Sequence, residues 1–274
     1  MLYQLTASIV LYKNDDLVKQ TIQSFLNSTL SIKLFLIDNS PMPKLQTELA
    51  KFLNDKRVEY IFNNKNVGFG AGHNIAIKKI IDDSPYHLVL NPDVTFSKEI
   101  LQPLINFLKN HKDVGAIMPK VLYDDNSVQY LAKLLPTPFD FFVIRFLPFA
   151  FKKTQDKFKL KQSNYDKIIM APFLSGCFLL LNTQALKITG LFDENIFMYT
   201  EDIDITRRLI AASYKTVFYP DVHIYHHHER KSFKNFKVFK TYLKSTIYYF
   251  NKWGWFFDKE RKQINKQALS QFNK

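Results

Sequence analysis

Hydrophobic and polar positions in the first 122 residues switch repeatedly between two periods. The run LTASIVLY, Leu5 to Tyr12, is apolar and rich in β-branched residues, which predicts a strand buried on both faces. LVKQTIQSFLNST follows, with Leu17, Ile22, Phe25 and Leu26 at helical spacing. The exchange continues with strand IKLFLIDNS, helix KLQTELAKFLND, strand VEYIFN, helix AGHNIAIKKIID, strand YHLVLNPDV, helix KEILQPLINFLKNH and strand VGAIMPKVL. Strands alternating with helices across short connections predict an α/β fold, with a mostly parallel sheet covered by helices on both faces. The pattern loosens after Asp124 and resumes at the strand APFLSGCFLLLN. From about Ser232 the chain turns helical, basic and aromatic. The organisation this implies is one domain over residues 1–228 and a helical C-terminal extension over 229–274. In such sheets ligands collect outside the carboxyl ends of the strands. Asp38 and Asp93 each follow an apolar run, so both are expected to project into one crevice.

Composition narrows the class. With 274 residues, 46% of them hydrophobic, the chain is long and apolar enough for a full core. Its one cysteine, Cys177, excludes an internal disulfide and fits a reducing compartment. The N-terminal MLYQLTASIVLYKNDD has no basic segment before its short apolar run, and reads as a first strand rather than a signal peptide. Leu134 to Phe151 approaches the length of a membrane span. Pro136, Pro138, Pro148, Asp140 and Arg145 interrupt it, which predicts an apolar loop instead. The net charge of +13 is concentrated beyond Glu229, where basic and aromatic residues alternate. Lys234, Lys237, Lys240 and Lys244 recur at helical spacing, and Tyr248, Trp253, Trp255 and Phe256 follow. Such a face suits nucleic acid, an anionic membrane or a phosphate-bearing substrate. A helical pair packed on its own domain, or on a second subunit as a homodimer, is the alternative.

Four segments carry candidate chemistry. NKNVGFGAGHN, Asn64 to Asn74, is a glycine-rich turn opening a helix, where backbone approaches a ligand closely and the helix end favours anions. It has neither dinucleotide-fingerprint nor P-loop spacing. LVLNPDV places Asp93 at a strand end behind Pro92, a setting that suits a hard divalent cation. VHIYHHHERKS holds His223, His226, His227 and His228, and in a strand His226 and His228 share a face. Imidazole can join a carboxylate in ligating a metal. FMYTEDIDITRRL gathers Glu201, Asp202 and Asp204 before a helical run containing Arg207 and Arg208. Acidic residues favour the first turn of a helix, so helix capping competes with catalysis there. A turn, a polar surface strand and a solvated helix explain the segments singly, but not their joint order.

That order resembles the family 2 glycosyltransferases with the GT-A fold, over about residues 5–232. It is nearest the rhamnosyltransferase-like branch of bacterial cell-surface polysaccharide enzymes. The segments SIVLY, LIDNS, NKNVGFGAGHNIAI, LNPDV, SGCFLLLN, GLFDENIFMYTEDIDITRRL and IYHHHERKS carry the likeness, and YYFNKWGW resembles the tail of that branch. The resemblance implies transfer of a sugar from a nucleotide-diphosphate donor, dTDP-rhamnose or a UDP-hexose, to a saccharide or lipid-linked acceptor hydroxyl, with inversion. It implies that Tyr12 and Asp38 contact the nucleoside, and that Asn66, Gly68 and Asn74 line the nucleotide pocket. NPD stands where the family has D-x-D, placing Asn91 near the ribose and Asp93 on Mg²⁺ or Mn²⁺. His226 matches a second metal ligand, with His228 as the fallback. Asp202 matches the catalytic base, and Glu201 and Asp204 either shape the acceptor site or pair with Arg207 and Arg208. A helix N-terminus weakens a carboxylate as a base, so burial or acidic neighbours should raise Asp202. The setting implied is cytoplasmic, peripheral at the inner face of the plasma membrane. A non-catalytic scaffold in polysaccharide assembly and a nucleic-acid-binding protein are the competing readings. RNP motifs, zinc-finger spacing and heptads are absent, so no nucleic-acid partner is expected.

Overall fold

The computed structural model describes residues 2–13, 16–144, 150–227 and 236–272. Its first half follows the predicted alternation. Strands β1 (Leu5–Leu11), β2 (Ile32–Asp38), β3 (Val58–Phe62) and β4 (Tyr86–Leu90) are parallel, and the chain between them forms α1 (Leu17–Leu26), α2 (Lys44–Glu48), α3 (Ala50–Leu53) and α4 (Phe69–Ile80). The two faces of β2 show why helices cover both sides. Phe35 and Ile37 pack with Ala76 and Ile80 of α4, whereas Leu34 and Leu36 join the main core with Val18, Ile22 and Phe25 of α1.

The chain continues through β5 (Val94–Thr95), α5 (Leu101–Asn110), β6 (Val114–Leu122), β7 (Ala132–Lys133), α6 (Lys152–Phe158), β8 (Ile169–Met170), β9 (Phe173–Leu174), β10 (Phe178–Asn182), α7 (Thr183–Thr189), α8 (Glu201–Ala211) and β11 (Lys215–His226). The strand order is β3-β2-β1-β4-β10-β6-β11-β5, with β8 also on β11 and β7 paired to β9. The apolar run of β10 predicts a strand but carries no direction. It lies antiparallel between β4 and β6, so its first residue meets the carboxyl end of β4. That placement brings Cys177 beside Asn91.

Two expectations are refined. The helix read over KLQTELAKFLND is two short helices broken at Leu49, whose φ and ψ of −102° and 7° leave the helical region and whose side chain is fully buried. The C-terminal run forms α9 (Phe236–Trp253) and α10 (Lys259–Ser270), and its aromatics fold inward as much as outward. Tyr242, Tyr249, Phe250 and Ile264 form a second core with Leu135, Phe141, Phe173 and Ile203 of α8. Arg207 of α8 is 1% exposed; its guanidinium meets Asp258 bidentately at 2.7 and 2.8 Å, reaches Glu260 at 2.9 Å, and lies 4.3 Å from the Trp253 ring centroid. The extension is thus bolted to α8 by a buried pair that neither residue could leave cheaply. Among the described residues no helix is long and apolar enough to cross a membrane. His228 and Lys234, and Arg145 of the apolar loop, lie outside the described residues.

Candidate active site

The carboxyl ends of the parallel strands β1, β2 and β4 lie side by side. Register places Leu11 beside Asp38, and Tyr12 follows β1, half-exposed at the rim. Asp38 is fully buried. Its carboxylate accepts the Ser40 N–H at 2.8 Å and the Tyr60 hydroxyl, while burial and that bond push the Tyr60 phenol well above its ordinary value. Asn39, next in the chain, donates to the Gly68 carbonyl at 3.1 Å and so ties β2 to the glycine turn.

That turn is built by close backbone contact. Gly68 has φ of +95°, and a Cβ there would lie 2.4 Å from the Phe197 carbonyl oxygen. Phe197 in turn accepts the Phe69 N–H at 2.9 Å, and Asn66 accepts the Gly68 N–H at 3.0 Å. Asn74 is buried. It donates to the Phe192 carbonyl at 2.9 Å and to Glu194 at 3.0 Å, and accepts the Phe192 N–H at 3.1 Å. Its side chain therefore clamps the turn to the 192–197 loop, behind the surface of the pocket.

Beyond β4 the site is assembled by strands distant in sequence. The two-residue strand β5 pairs antiparallel with the end of β11, setting Val94 opposite His226. Asp93 Oδ1 and His226 Nε2 are 3.4 Å apart, and the Asn91 amide nitrogen is also 3.4 Å from Nε2. The tautomer of His226 follows from Gln129. Its amide NH₂ group donates to the carbonyls of Leu122 at 3.1 Å and His226 at 2.7 Å, which turns Oε1 toward His226 Nδ1 at 3.0 Å. Nδ1 therefore carries the hydrogen, and in the neutral ring the bare nitrogen is Nε2, on the side of Asp93. His227 faces away, bound to Thr95 and Asp124.

A carboxylate and an imidazole lone pair facing each other fit a hard or borderline divalent cation, with the outer Gln129 contact fixing the ligand orientation. Among the described residues no group of three or more His, Cys, Asp or Glu is arranged to hold a metal. Asp93 and His226 would supply two donors, leaving the other positions to water and substrate oxygens.

Asp202 sits one short step from this pair. The Asn91 N–H donates to the Cys177 carbonyl at 2.9 Å, and the adjacent Gly176 N–H donates to Asp202 Oδ2 at 3.1 Å. A Cβ on Gly176 would stand 3.6 Å from Asp202 Cβ and 3.1 Å from the Phe69 ring, so the glycine turn, β10 and α8 meet at this residue. Burial pushes the Cys177 thiol up to about 12, with the charges of Asp93 and Asp202 both adding to it. One side chain between β4 and α8 thus feels both carboxylates.

The three acids of α8 have separate fates. Asp204 is 0% exposed and receives Arg208 Nε, Lys252 Nζ and Trp253 Nε1, each at 2.8 Å. Of the two roles expected for it, its contacts are those of ion pairing, with Arg208 and Lys252, while Arg207 turns to Asp258. Glu201 is buried, and burial together with the Asp202 charge raises its carboxyl. Asp202 stays partly exposed at the helix start. Desolvation raises it above the ordinary Asp range, against the lowering by the Gly176 N–H and by Lys133. The expected opposition between helix end and burial is thus resolved toward a stronger base. Gly176, Lys133 and Gln129 were not read from the sequence. Their roles arise from strand pairing and loop packing, and no local spacing marks them.

A sequence profile described as glycosyl transferase family 2 matches residues 6–187. Rhamnosyltransferase WbbL of Escherichia coli (strain K12) is 26% identical over 252 residues, covering 88% of this chain and 90% of that protein. The N-acetylglucosaminyl-diphospho-decaprenol L-rhamnosyltransferase of Mycobacterium tuberculosis (strain ATCC 25618 / H37Rv) is 26% identical over 180 residues, 59% of this chain and 56% of that protein. Among solved structures, GalNAc-T7 with UDP, GalNAc and Mn²⁺ superposes with a TM-score of 0.68 at 14% identity, over 92% of this chain and 49% of that one. That likeness is one of fold, the GT-A arrangement.

Proposed function

The chain belongs to glycosyl transferase family 2, and from that premise we propose an inverting enzyme that moves a sugar, rhamnose first, from a nucleotide diphosphate to an acceptor hydroxyl in cell-surface polysaccharide synthesis. The observation that carries the reading is the approach of Asp202 to the Asp93–His226 pair through Gly176, Cys177 and Asn91. In this reading Tyr12, Asp38 and the turn at Asn66 and Gly68 receive the nucleoside. Asn91 lies at the ribose, and Asn74 holds the turn in place. Asp93 and His226 hold Mg²⁺ or Mn²⁺, which supplies Lewis-acid neutralisation of the diphosphate leaving group when bound.

Asp202 accepts the proton of the attacking hydroxyl. Its raised pKa strengthens it as a base while leaving it ionised at neutral pH, and such a base contributes about 10²–10⁴-fold. Glu201, raised further, keeps the immediate surroundings of Asp202 from accumulating a second negative charge. The two rhamnosyltransferase relatives favour a rhamnosyl donor, and the name of the mycobacterial one favours an acceptor carried on a lipid diphosphate. Such an acceptor calls for peripheral contact with the inner face of the plasma membrane.

The test is a thermal-shift and calorimetry screen of nucleotide diphosphates and their sugars, with and without Mn²⁺. A dTDP or UDP ligand should raise the melting temperature, and more so with Mn²⁺. Asp93→Ala should remove the Mn²⁺-dependent part. Absence of any nucleotide-induced shift would overturn the proposal, as would retention of anomeric configuration in the product.

A further inference from the structure

The C-terminal helices carry a second feature, away from the nucleotide crevice. A groove of about 1190 Å³ runs between α10, α6 and the segment Thr137–Phe139. Its walls carry Lys153, Lys157, Lys262 and Lys266, all exposed. The acids on this side are already engaged, Asp156 with Lys161 at 2.6 Å and Glu260 with Arg207 at 2.9 Å. Beside the lysines, the turn from α9 to α10 displays Phe256 at 68% exposure and Phe257 at 93%.

These phenyl groups are held out by a rigid base. Trp255 rests on Phe250 with ring centroids 5.2 Å apart and stacks on Phe142 at 6.2 Å. Buried Arg261 clasps the turn through the Trp255 carbonyl at 2.8 Å and reaches the Gly254 and Pro136 carbonyls at 3.4 and 3.3 Å. Neighbouring aromatic rings left in water on a fixed turn, ringed by lysines, have the chemistry of an interfacial anchor: the rings enter the acyl boundary and the lysines meet anionic headgroups. A second copy of this chain fits poorly, because an isologous contact would set lysine against lysine.

We propose that this face, formed by α6, α10 and the Phe256–Phe257 turn, docks the protein on an anionic lipid bilayer. It sharpens the expectation drawn from the sequence. Of the aromatic residues that follow the lysines, Tyr248 and Trp253 are engaged with Asp193 and with Arg207 and Asp204, which leaves Phe256 and its neighbour Phe257 as the exposed rings. Along the chain the groove adjoins a smaller cavity. The segment that lines the groove with Thr137–Phe139 lines a smaller cavity of about 150 Å³ with Lys133, Pro136 and Phe141, beside Tyr199 and Ile203. Ile203 adjoins Asp202. If the acceptor is carried on a lipid, docking would hold the protein at the surface where that acceptor resides. Only this last step rests on the proposed acceptor; the docking itself rests on charge and aromatic exposure.

The experiment is sedimentation of the full chain with vesicles of phosphatidylcholine alone or mixed with phosphatidylglycerol. Donor-nucleotide affinity is measured in parallel, so that failure of docking and failure of the catalytic reading separate. Binding is expected to the mixed vesicles only, and to weaken as salt rises. K262E/K266E should weaken it by at least about tenfold, given roughly fivefold per lysine near an anionic surface. F256A/F257A should weaken it by about tenfold or more through lost apolar burial. Both variants alter exposed residues and should bind nucleotide like the parent. Equal sedimentation of variants and parent would overturn the proposal. So would equal binding to neutral vesicles, or tighter binding of a random oligonucleotide abolished by the same substitutions.

Discussion

Two helices begin on either side of Gly176 and treat their positive ends in opposite ways. α4 starts at Gly68 with no acidic residue in its first turn, and its entry is shaped by close glycine contacts. α8 starts at Thr200 and fills its first turn with Glu201, Asp202 and Asp204. A helix end without its own carboxylate is left to stabilise incoming negative charge; an end filled with carboxylates is internally neutralised. In the proposed reading the contrast divides labour between a region suited to a diphosphate and one suited to proton removal. It also shows that an acidic cluster is not a functional unit. Asp204 serves ion pairing, Glu201 is buried with a raised pKa, and of the three only Asp202 combines a raised pKa with partial exposure.

The sharpest way to break the α8 side is to cut its anchor. Arg207→Ala leaves Asp258, 3% exposed, without its bidentate partner, and should cost about 3–5 kcal/mol, read as a lower denaturant midpoint. On the α4 side, Gly68→Ala forces an alanine to φ of +95° and its Cβ against the Phe197 carbonyl. The backbone strain alone should cost about 1–3 kcal/mol. The loss should appear in nucleotide affinity as well as in melting temperature, because the displaced turn is the proposed binding element.

Gln129→Leu probes the β11 contribution without touching either helix. With the His226 ring no longer oriented, Mn²⁺ affinity by calorimetry should fall about 10–100-fold while donor affinity without metal is kept. A further check, of stability alone, is acid sensitivity at α4. His73 and His87 are buried and linked through Ser8, at 2.6 and 2.8 Å. Burial lowers both, His87 to about 3 and His73 well below its ordinary 6.5. The unfolded chain binds these protons first, so stability should hold above pH 6.5 and decline as pH falls from there toward 3. Ser8→Ala and His87→Phe variants, titrated by chemical denaturation, check the slope.

What the sequence disclosed follows the range of the interactions. Asp38, Asp93 and the glycine turn were legible because each is marked within about ten residues, by an apolar run that ends or a helix that begins. The role of Asp202 came from resemblance, since its first-turn position alone equally supports capping. The direction of β10 was invisible, because an unbroken apolar strand looks the same either way. Gln129 and Gly176 act through partners brought to them by strand order, and nothing in their neighbours announces it. The C-terminal run was ambiguous for another reason. Alternating lysines and aromatics describe a lipid-facing helix and a helix packed on α8 equally well, and only Arg207, Asp258 and the exposed Phe257 separate the two.

The claim on which the account turns is that Asp202, of the acids at the start of α8, removes the acceptor proton. Turnover and donor-nucleotide affinity of Asp202→Asn, measured side by side, address it directly. The account predicts transfer lowered by about 10²–10⁴-fold or more with nucleotide affinity unchanged. Near-parental turnover in that variant would contradict it.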